Sequence, residues 1–508
     1  MCIRIEAPRP LPPAMRYGRM LRSGVRAPFK RQRRPEPISE GLLFTVTCTT
    51  RYLEFIMGQG GQIVLINGTP YTWTLAPDST NSYQMATWSF PQEIKSGQAP
   101  SIYVEWKQGL LVNLKDSAGN ATYRLQGTDH TFQVQARSSS NSTSGFYLQI
   151  VLKSITTQSL TQGSIVNLGW AHDGLVTFVL SGSDDMCGFS STNGPVDWMH
   201  RNLTMLGNRQ LRHICMPSTH DAGMSQLHAH TAFVSERNVL TQTQPVLAQL
   251  NLGSRYLDVR PVISAGKYTT GHYSAVDTPV YKGWQGGNGQ TIQDIINDLN
   301  TFTAKNKELI ILNMSHAYNT DAGNAHYPDF TQGEWDGLME QLLGIQNLFV
   351  ASNPSSVDLT TLALSNFLAG NRAAVVIIIE PSNISLGSYA TRGFYKYSQF
   401  NAWNSYANTN DLNAMMSDQL KKMADNRQTP DQSYFLLSWT LTQSGAQAAM
   451  GGSDTSILAF ATKANPQLGA HLLPACSKKT YPNILCVDGL NDTNVSAMAL
   501  AINHLYGA

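Results

Sequence analysis

The pattern of apolar and polar positions changes character once along the chain. From about Ser39 to Asp185 it reads as short strands. Residues 62–66, 101–106 and 146–152 have strand length, and in the last Phe146, Leu148, Ile150 and Leu152 alternate onto one face. Turn-rich stretches lie between them, including Asn67-Gly68, residues 116–120 and the Ser/Asn-rich 138–145. Short strands at near-regular spacing predict a β-sandwich. The aromatics Tyr71, Trp73, Tyr103 and Trp106 fit its core better than an exposed sugar- or membrane-contacting face.

After Gly194-Pro195-Val196-Asp197-Trp198-Met199 the periodicity switches. Strand-like runs at 213–216, 256–259, 309–314, 373–379, 434–439 and 484–487 alternate with helical patterns at 239–250, 292–305, 331–343, 414–425 and 497–504. Such alternation predicts a (β/α) barrel or a doubly wound sheet. The expected architecture is multidomain, a C-terminal α/β TIM-like (β/α) barrel over 197–508 preceded by an all-β sandwich-like domain over 39–190. A length of 508 residues suits two cores rather than one.

Composition changes this picture only at the N-terminus. The chain is 42% hydrophobic and 14% charged, and no apolar run approaches the ~20 residues of a membrane-spanning helix. The net charge of +2 hides an asymmetry. Residues 1–36 hold ten basic and two acidic side chains, a net of +8, which leaves 26 basic against 32 acidic, or −6, for the remainder. With its prolines, the segment 1–38 reads as a disordered basic tail. A lipid-touching arm, a targeting segment and an inert extension are its alternatives. Six cysteines (Cys2, Cys48, Cys187, Cys215, Cys476, Cys486) form no metal-ligand spacing, so no metal and no cofactor are expected. Eight Asn-x-Ser/Thr sequons, at Asn67, Asn120, Asn141, Asn202, Asn313, Asn383, Asn491 and Asn494, lean toward a secretory route, yet no signal peptide is visible. The compartment stays open, with a secreted or peripheral-membrane location the expectation.

The candidate chemistry begins at Met216-Pro217-Ser218-Thr219-His220-Asp221-Ala222-Gly223. An apolar run leads into a His-Asp pair, and the small residues Ser218 and Gly223 flank it, so the backbone can bend and present both side chains in one cleft. Asp258 and Arg260, then His272, then His316 and Asp488 follow, each at or just after a β-like run. In a barrel, strand C-termini carry the active site. Two histidines with carboxylates available, an arginine and no metal ligands fit phosphodiester cleavage by general acid–base catalysis. One imidazole takes a proton from the attacking hydroxyl while the other gives one to the leaving oxygen. A bidentate guanidinium suits the charge that builds on the phosphate. Taken singly, each of these residues reads better as an ordinary satisfied polar group; the ordered set does not.

These blocks resemble the X-domain superfamily of phosphatidylinositol-specific phospholipases C and related phosphodiesterases. The resemblance is nearest the bacterial metal-independent branch and fungal members. A first-strand signature like Pro-Gly-Thr-His-Asp-Ser-Gly is matched by 217–223, and Leu257-Asp258-Val259-Arg260 matches the second. Thr270-Gly271-His272-Tyr273 matches a short His-Gly block loosely, and Ile484-Leu485-Cys486-Val487-Asp488 matches a late strand ending in Asp. The resemblance implies that His220 is the general base oriented by Asp488, and that His272 is the general acid paired with Asp221. It implies further that Arg260 holds the phosphate in place of a metal and that Asp258 supports the site. Glu380, His316 and Trp439 join Asp258 as expected substrate contacts, with a structural hydrogen bond the alternative for His316. Glu380-Pro381 stands where bacterial enzymes carry an inositol-recognising Arg, and Ser315-His316 where a Lys-bearing segment is usual. Both departures fall where headgroup specificity is set.

The expected function is therefore a phosphoric diester hydrolase of phospholipase C type, working through a cyclic phosphodiester. Its partner is a phospholipid or related phosphodiester, met as a monomer at a membrane surface, with no nucleic acid. A catalytically silent lipid- or glycan-binding protein on the same barrel is the alternative. A metal-dependent glycerophosphodiesterase would want a His-Arg-Gly start and paired carboxylate ligands, which the chain lacks.

Overall fold

The computed structural model describes residues 59–507 except 110–111, 139–144, 278–281, 324–325 and 451. The basic segment 1–38, the start of the expected sandwich and the sequon at Asn141 lie outside the described residues.

The N-terminal half forms two facing sheets. One runs in the order Gly188–Ser191, Leu175–Ser183, Gln59–Gly68, Ser101–Trp106 and Met85–Trp88. The other is antiparallel and is built around Ala118–Leu125, Thr131–Ser138 and Phe146–Val151. Alternation puts Ile63, Leu65 and Val104 against Phe132, Val134, Leu148 and Ile150 between the sheets. Trp73 and Trp106 are buried in that core, while Tyr103 is exposed.

Gln59–Gly68 is apolar on both faces because both are covered. Val64 and Ile66 turn away from the sandwich core and pack with Leu468, Met498 and Ile502 of the C-terminal half. The helix Asn494–Leu505 lies in this seam, buried from Val495 through His504. Gly68 permits its approach, since a Cβ there would meet Ala501 Cβ at 2.6 Å.

The C-terminal half is a curled sheet of eight parallel strands: Met216–Thr219, Tyr256–Val259, Leu309–Met314, Ala374–Ile379, Phe394–Lys396, Ala402–Trp403, Tyr434–Trp439 and Ile484–Val487. Numbered first to eighth along the chain, they lie side by side in sequence order, and the eighth pairs with the first through Met216↔Ile484 and Thr219↔Val487. Among the described residues no ladder joins the fifth and sixth strands, so the barrel has a seam there. The third and fourth strands are buried along their whole length, as their unbroken Leu/Ile/Val runs require.

Three expectations need correction. The first strand begins at Met216, not three residues earlier, because residues Leu211–His213 form a 3-10 turn. The helix expected over 239–250 is broken into Glu236–Val239 and Val246–Asn251, since Pro245 cannot donate into a helix interior and stands extended at the N-cap of the second piece. The sequons at Asn67, Asn202 and Asn313 are buried and cannot carry glycan in this fold.

The floor of the barrel is closed by an internal ion pair. Arg255 and Glu308, both fully buried, meet with Nε–Oε2 of 2.8 Å just before the second and third strands. Glu308 also accepts the backbone N–H groups of Met199 and His200 at 3.1 and 2.8 Å. Arg255 donates to the carbonyls of Leu250, Ser254 and Val196. The pair thus ties the segment leaving the sandwich to the barrel. We predict that Glu308→Ala destabilises the protein by about 3–5 kcal/mol in denaturant unfolding, because it strands a buried guanidinium, and that Arg255→Met with Glu308→Leu recovers much of the loss.

Candidate active site

The first barrel strand delivers His220, and the chain turns at once. Asp221 adopts the left-handed conformation (φ 42°), which places its side chain away from that of His220. Such a residue costs of order 1–3 kcal/mol unless neighbours hold it. Its neighbours do. Thr241 Oγ1 donates to Asp221 O at 2.9 Å, and Asp221 N donates to Asp258 Oδ2 at 3.2 Å. Gln242 Nε2 donates to the carbonyls of His220 (2.8 Å) and Val487 (3.1 Å), while its Oε1 accepts Leu490 N at 3.1 Å. The ends of the first and eighth strands are therefore pinned together, and with them His220 and Asp488.

Two His–Asp pairs result. His220 Nδ1 lies 2.8 Å from Asp488 Oδ1, and His272 Nδ1 lies 2.9 Å from Asp221 Oδ2. The imidazole centroids are 6.3 Å apart with the rings nearly perpendicular. Arg260 stands between the pairs. Its Nε donates to Asp258 Oδ2 at 3.1 Å, its Nη1 is 3.9 Å from Asp221 Oδ2, and its Nη2 is 2.6 Å from His220 Nε2. A guanidinium has only donors, so His220 Nε2 accepts and the ring proton sits on Nδ1, facing Asp488. That is the tautomer a general base needs.

The electrostatics follow from the charges. Burial, the largest single influence, and Arg260 press the His220 pKa down, but the charge and hydrogen bond of Asp488 together with the charge of Asp258 outweigh them, and the net effect is a value above the ordinary 6.5. Burial would raise Asp258, yet Arg260, His220, His316 and the Ser315 hydroxyl bring it down to about 2. Arg260 is desolvated, and its carboxylate neighbours still raise it. Burial and Arg260 lower His316. Asp258 is thus a fixed anion and Arg260 a fixed cation at any working pH.

The structure brings His220, Asp221, Asp258, Arg260, His272 and Asp488 together. His316 sits beside them, left-handed (φ 46°), its Nδ1 2.9 Å from Ser315 Oγ, which itself donates to Asp258 Oδ1 at 2.8 Å. Glu380 ends the fourth strand and accepts the Asn313 amide at 2.8 Å. Trp439 is not part of the site. Its indole is 1% exposed and points outward from the barrel, where Nε1 donates to Ala464 O at 2.8 Å. Sequence reasoning missed Thr241 and Gln242, which it had placed inside a helix; Pro245 was the signal. It also missed Asn465, whose amide donates to Asp488 O at 2.8 Å. Among the described residues, no group of three or more His, Cys, Asp or Glu side chains could hold a metal ion, and no helix is long and apolar enough to cross a membrane.

His272 does not follow a barrel strand, as expected, but stands in the middle of Lys267–Asp277, which forms a hairpin with Lys282–Thr291 and pairs His272 with Gly287. The hairpin reaches the His-Asp turn because two glycines let the backbones approach. A Cβ on Gly289 would meet Gly223 O at 2.2 Å, and one on Gly223 would meet Thr270 Oγ1 at 2.2 Å. We predict that Gly289→Ala forces the hairpin outward at a cost of about 1–3 kcal/mol, which thermal unfolding would register.

No protein-family model matches the chain, and no curated protein matches it. Among solved structures it is similar to a mutant phosphatidylinositol-specific phospholipase C from Staphylococcus aureus, with 15% identity and a TM-score of 0.43 over 60% of this chain and 97% of that one. A second form of the S. aureus enzyme, solved in work on modulating its membrane binding, gives 16% and 0.43 over 60% and 97%. The phosphatidylinositol-specific phospholipase C of Listeria monocytogenes gives 16% and 0.38 over 58% and 95%.

Proposed function

We propose that this chain is a phosphodiesterase of phospholipase C type, acting on a phospholipid or related phosphodiester by two-histidine acid–base catalysis on the barrel over 197–508. The observation that carries the reading is Arg260 held between two oppositely placed His–Asp pairs. When a phosphate arrives, Nη2 of Arg260 leaves His220 Nε2 and turns to a non-bridging oxygen, which frees the lone pair on that nitrogen. A substrate hydroxyl gives its proton to Nε2 as its oxygen bonds to phosphorus. The phosphorus–oxygen bond to the leaving alcohol breaks, and the His272 imidazolium protonates that oxygen. Asp488 and Asp221 stabilise whichever imidazole is charged. Water then opens the cyclic phosphodiester with the two histidines exchanging roles.

His220→Ala should lower turnover about 10²–10⁴-fold while leaving the fold intact. Near-normal turnover would sink the mechanism. The base works only when neutral, so activity falls as pH drops through the His220 pKa. Because Asp488 raises that pKa, the acid limb of kcat/KM lies above the ordinary 6.5, and Asp488→Asn should move it to lower pH.

Arg260 supplies the positive charge at phosphorus. Chelators are expected to leave turnover unchanged, whereas Arg260→Lys should be costly because a point charge cannot reproduce the fork. Loss of activity in EDTA, restored by Ca²⁺, would assign the charge to a metal instead.

His220 and Asp488 act as one unit, so Asp488→Asn added to His220→Ala should be scarcely worse than His220→Ala alone. Asp488→Asn with Asp221→Asn should show two separate losses. Single-turnover kinetics on one soluble phosphodiester decides this, and losses for Asp488→Asn and His220→Ala that simply multiply would separate the two residues.

A further inference from the structure

At the barrel seam, the fifth and sixth strands part and leave a cavity of about 400 Å³. Glu380 and Tyr397 line it from one side of the seam, Trp403 and Asn401 from the other. Tyr397 reaches across, its hydroxyl bonded to Ala402 O. Trp403 is held by stacking on Phe435, with centroids 5.1 Å apart and planes 12° from parallel.

The carboxylate in this cavity is unusual in its company. Glu380 accepts one hydrogen bond, from the Asn313 amide, and among the described residues no Lys, Arg or His comes within ion-pair distance of it. Asn313 is the register partner of Asp258 on the neighbouring strand, so the cavity adjoins the Arg260 phosphate site. Asp258 raises the pKa values of both Glu380 and Tyr397, in each case after larger causes, burial first. Counting the site as a whole, the four carboxylates of Asp221, Asp258, Asp488 and Glu380 face two cations, the Arg260 guanidinium and the His272 imidazolium. That surplus of negative charge would repel a phosphodiester unless the substrate brought a cation of its own.

We infer that the seam cavity binds an ammonium group on the alcohol arm of the substrate, with Glu380 as its counter-ion and the faces of Tyr397 and Trp403 as its aromatic wall. Aromatic walls beside a carboxylate hold quaternary and primary ammonium groups by charge and by the ring quadrupole. The inference rests on the phosphodiesterase reading, because phosphate at Arg260 is what directs that arm toward the seam. It narrows the substrate class to zwitterionic phosphodiesters, those whose esterified alcohol carries a fixed or protonated amine.

The test is calorimetric titration of the full chain carrying His220→Ala, so that ligand is not consumed. The probes are the methyl phosphodiesters of choline, of its uncharged carbon isostere 3,3-dimethylbutanol, and of myo-inositol. The choline ester should bind about tenfold or more tighter than the isostere, and Glu380→Gln or Trp403→Leu should erase that ratio. Binding of the isostere by the same variants reports that they are folded with the phosphate site in place. Equal affinities for choline and isostere overturn the inference, as do a preference that survives Glu380→Gln and tighter binding of the inositol ester. Turnover by the unsubstituted chain is read separately on the glycerol phosphodiesters of the same alcohols, whose free glycerol hydroxyl beside the phosphate can attack phosphorus and expel the other alcohol. Preference without any turnover would sink the two-histidine mechanism and leave the cavity assignment standing, whereas turnover without preference would sink the cavity assignment alone.

Discussion

A single half-buried carboxylate organises the mouth of the barrel. Asp258 receives the Arg260 guanidinium and the backbone N–H of Asp221 on one oxygen and the Ser315 hydroxyl on the other. Those three partners come from the ends of the first, second and third strands. Because the guanidinium lies so close, the carboxylate stays charged, and because it stays charged it can hold a left-handed turn that would otherwise relax. Neutralising Asp258 would loosen Arg260, the Asp221 turn and the His316 loop together.

The two histidines depend on this arrangement in different ways. His220 is fixed by elements of the barrel itself, through Asp488 and the Gln242 clamp. His272 is brought in by a hairpin that rests on the His-Asp turn through glycine backbones, and its partner Asp221 is the residue the Asp258 network holds in place. One pair is thus anchored by strand pairing and the other by close backbone packing. A site assembled in these two ways can have its His272–Asp221 pair disturbed while its His220–Asp488 pair stays whole.

Much of this was legible in the residues. The runs at 309–314 and 434–439 carry so many apolar residues that their place as buried strands was plain, and the His-Asp, Asp-x-Arg and late Asp positions all stand at strand ends. What stayed hidden has physical causes. The fifth and sixth strands are three and two residues long, too short for any periodicity to register. In a parallel strand covered on both faces, alternation no longer tells inward from outward, and Trp439 was assigned to the wrong side for that reason. His272 lies in a Thr- and Gly-rich hairpin whose strands bury no regular apolar face, so its position depended on tertiary contacts that no local pattern encodes.

The neighbourhood of the first and eighth strands also has a temporal side. His220 and Asp488 are 268 residues apart in the chain, though their side chains touch. A ribosome adds about 5–20 residues per second, so the imidazole emerges tens of seconds before its carboxylate. Throughout that interval the nascent barrel has a gap where the eighth strand will lie, and the histidine has no fixed tautomer. The contact waits for Ile484–Val487 to slot in beside Met216–Thr219. The pairing of the two side chains is therefore absent while the chain is being made, and it begins with the insertion of one short strand.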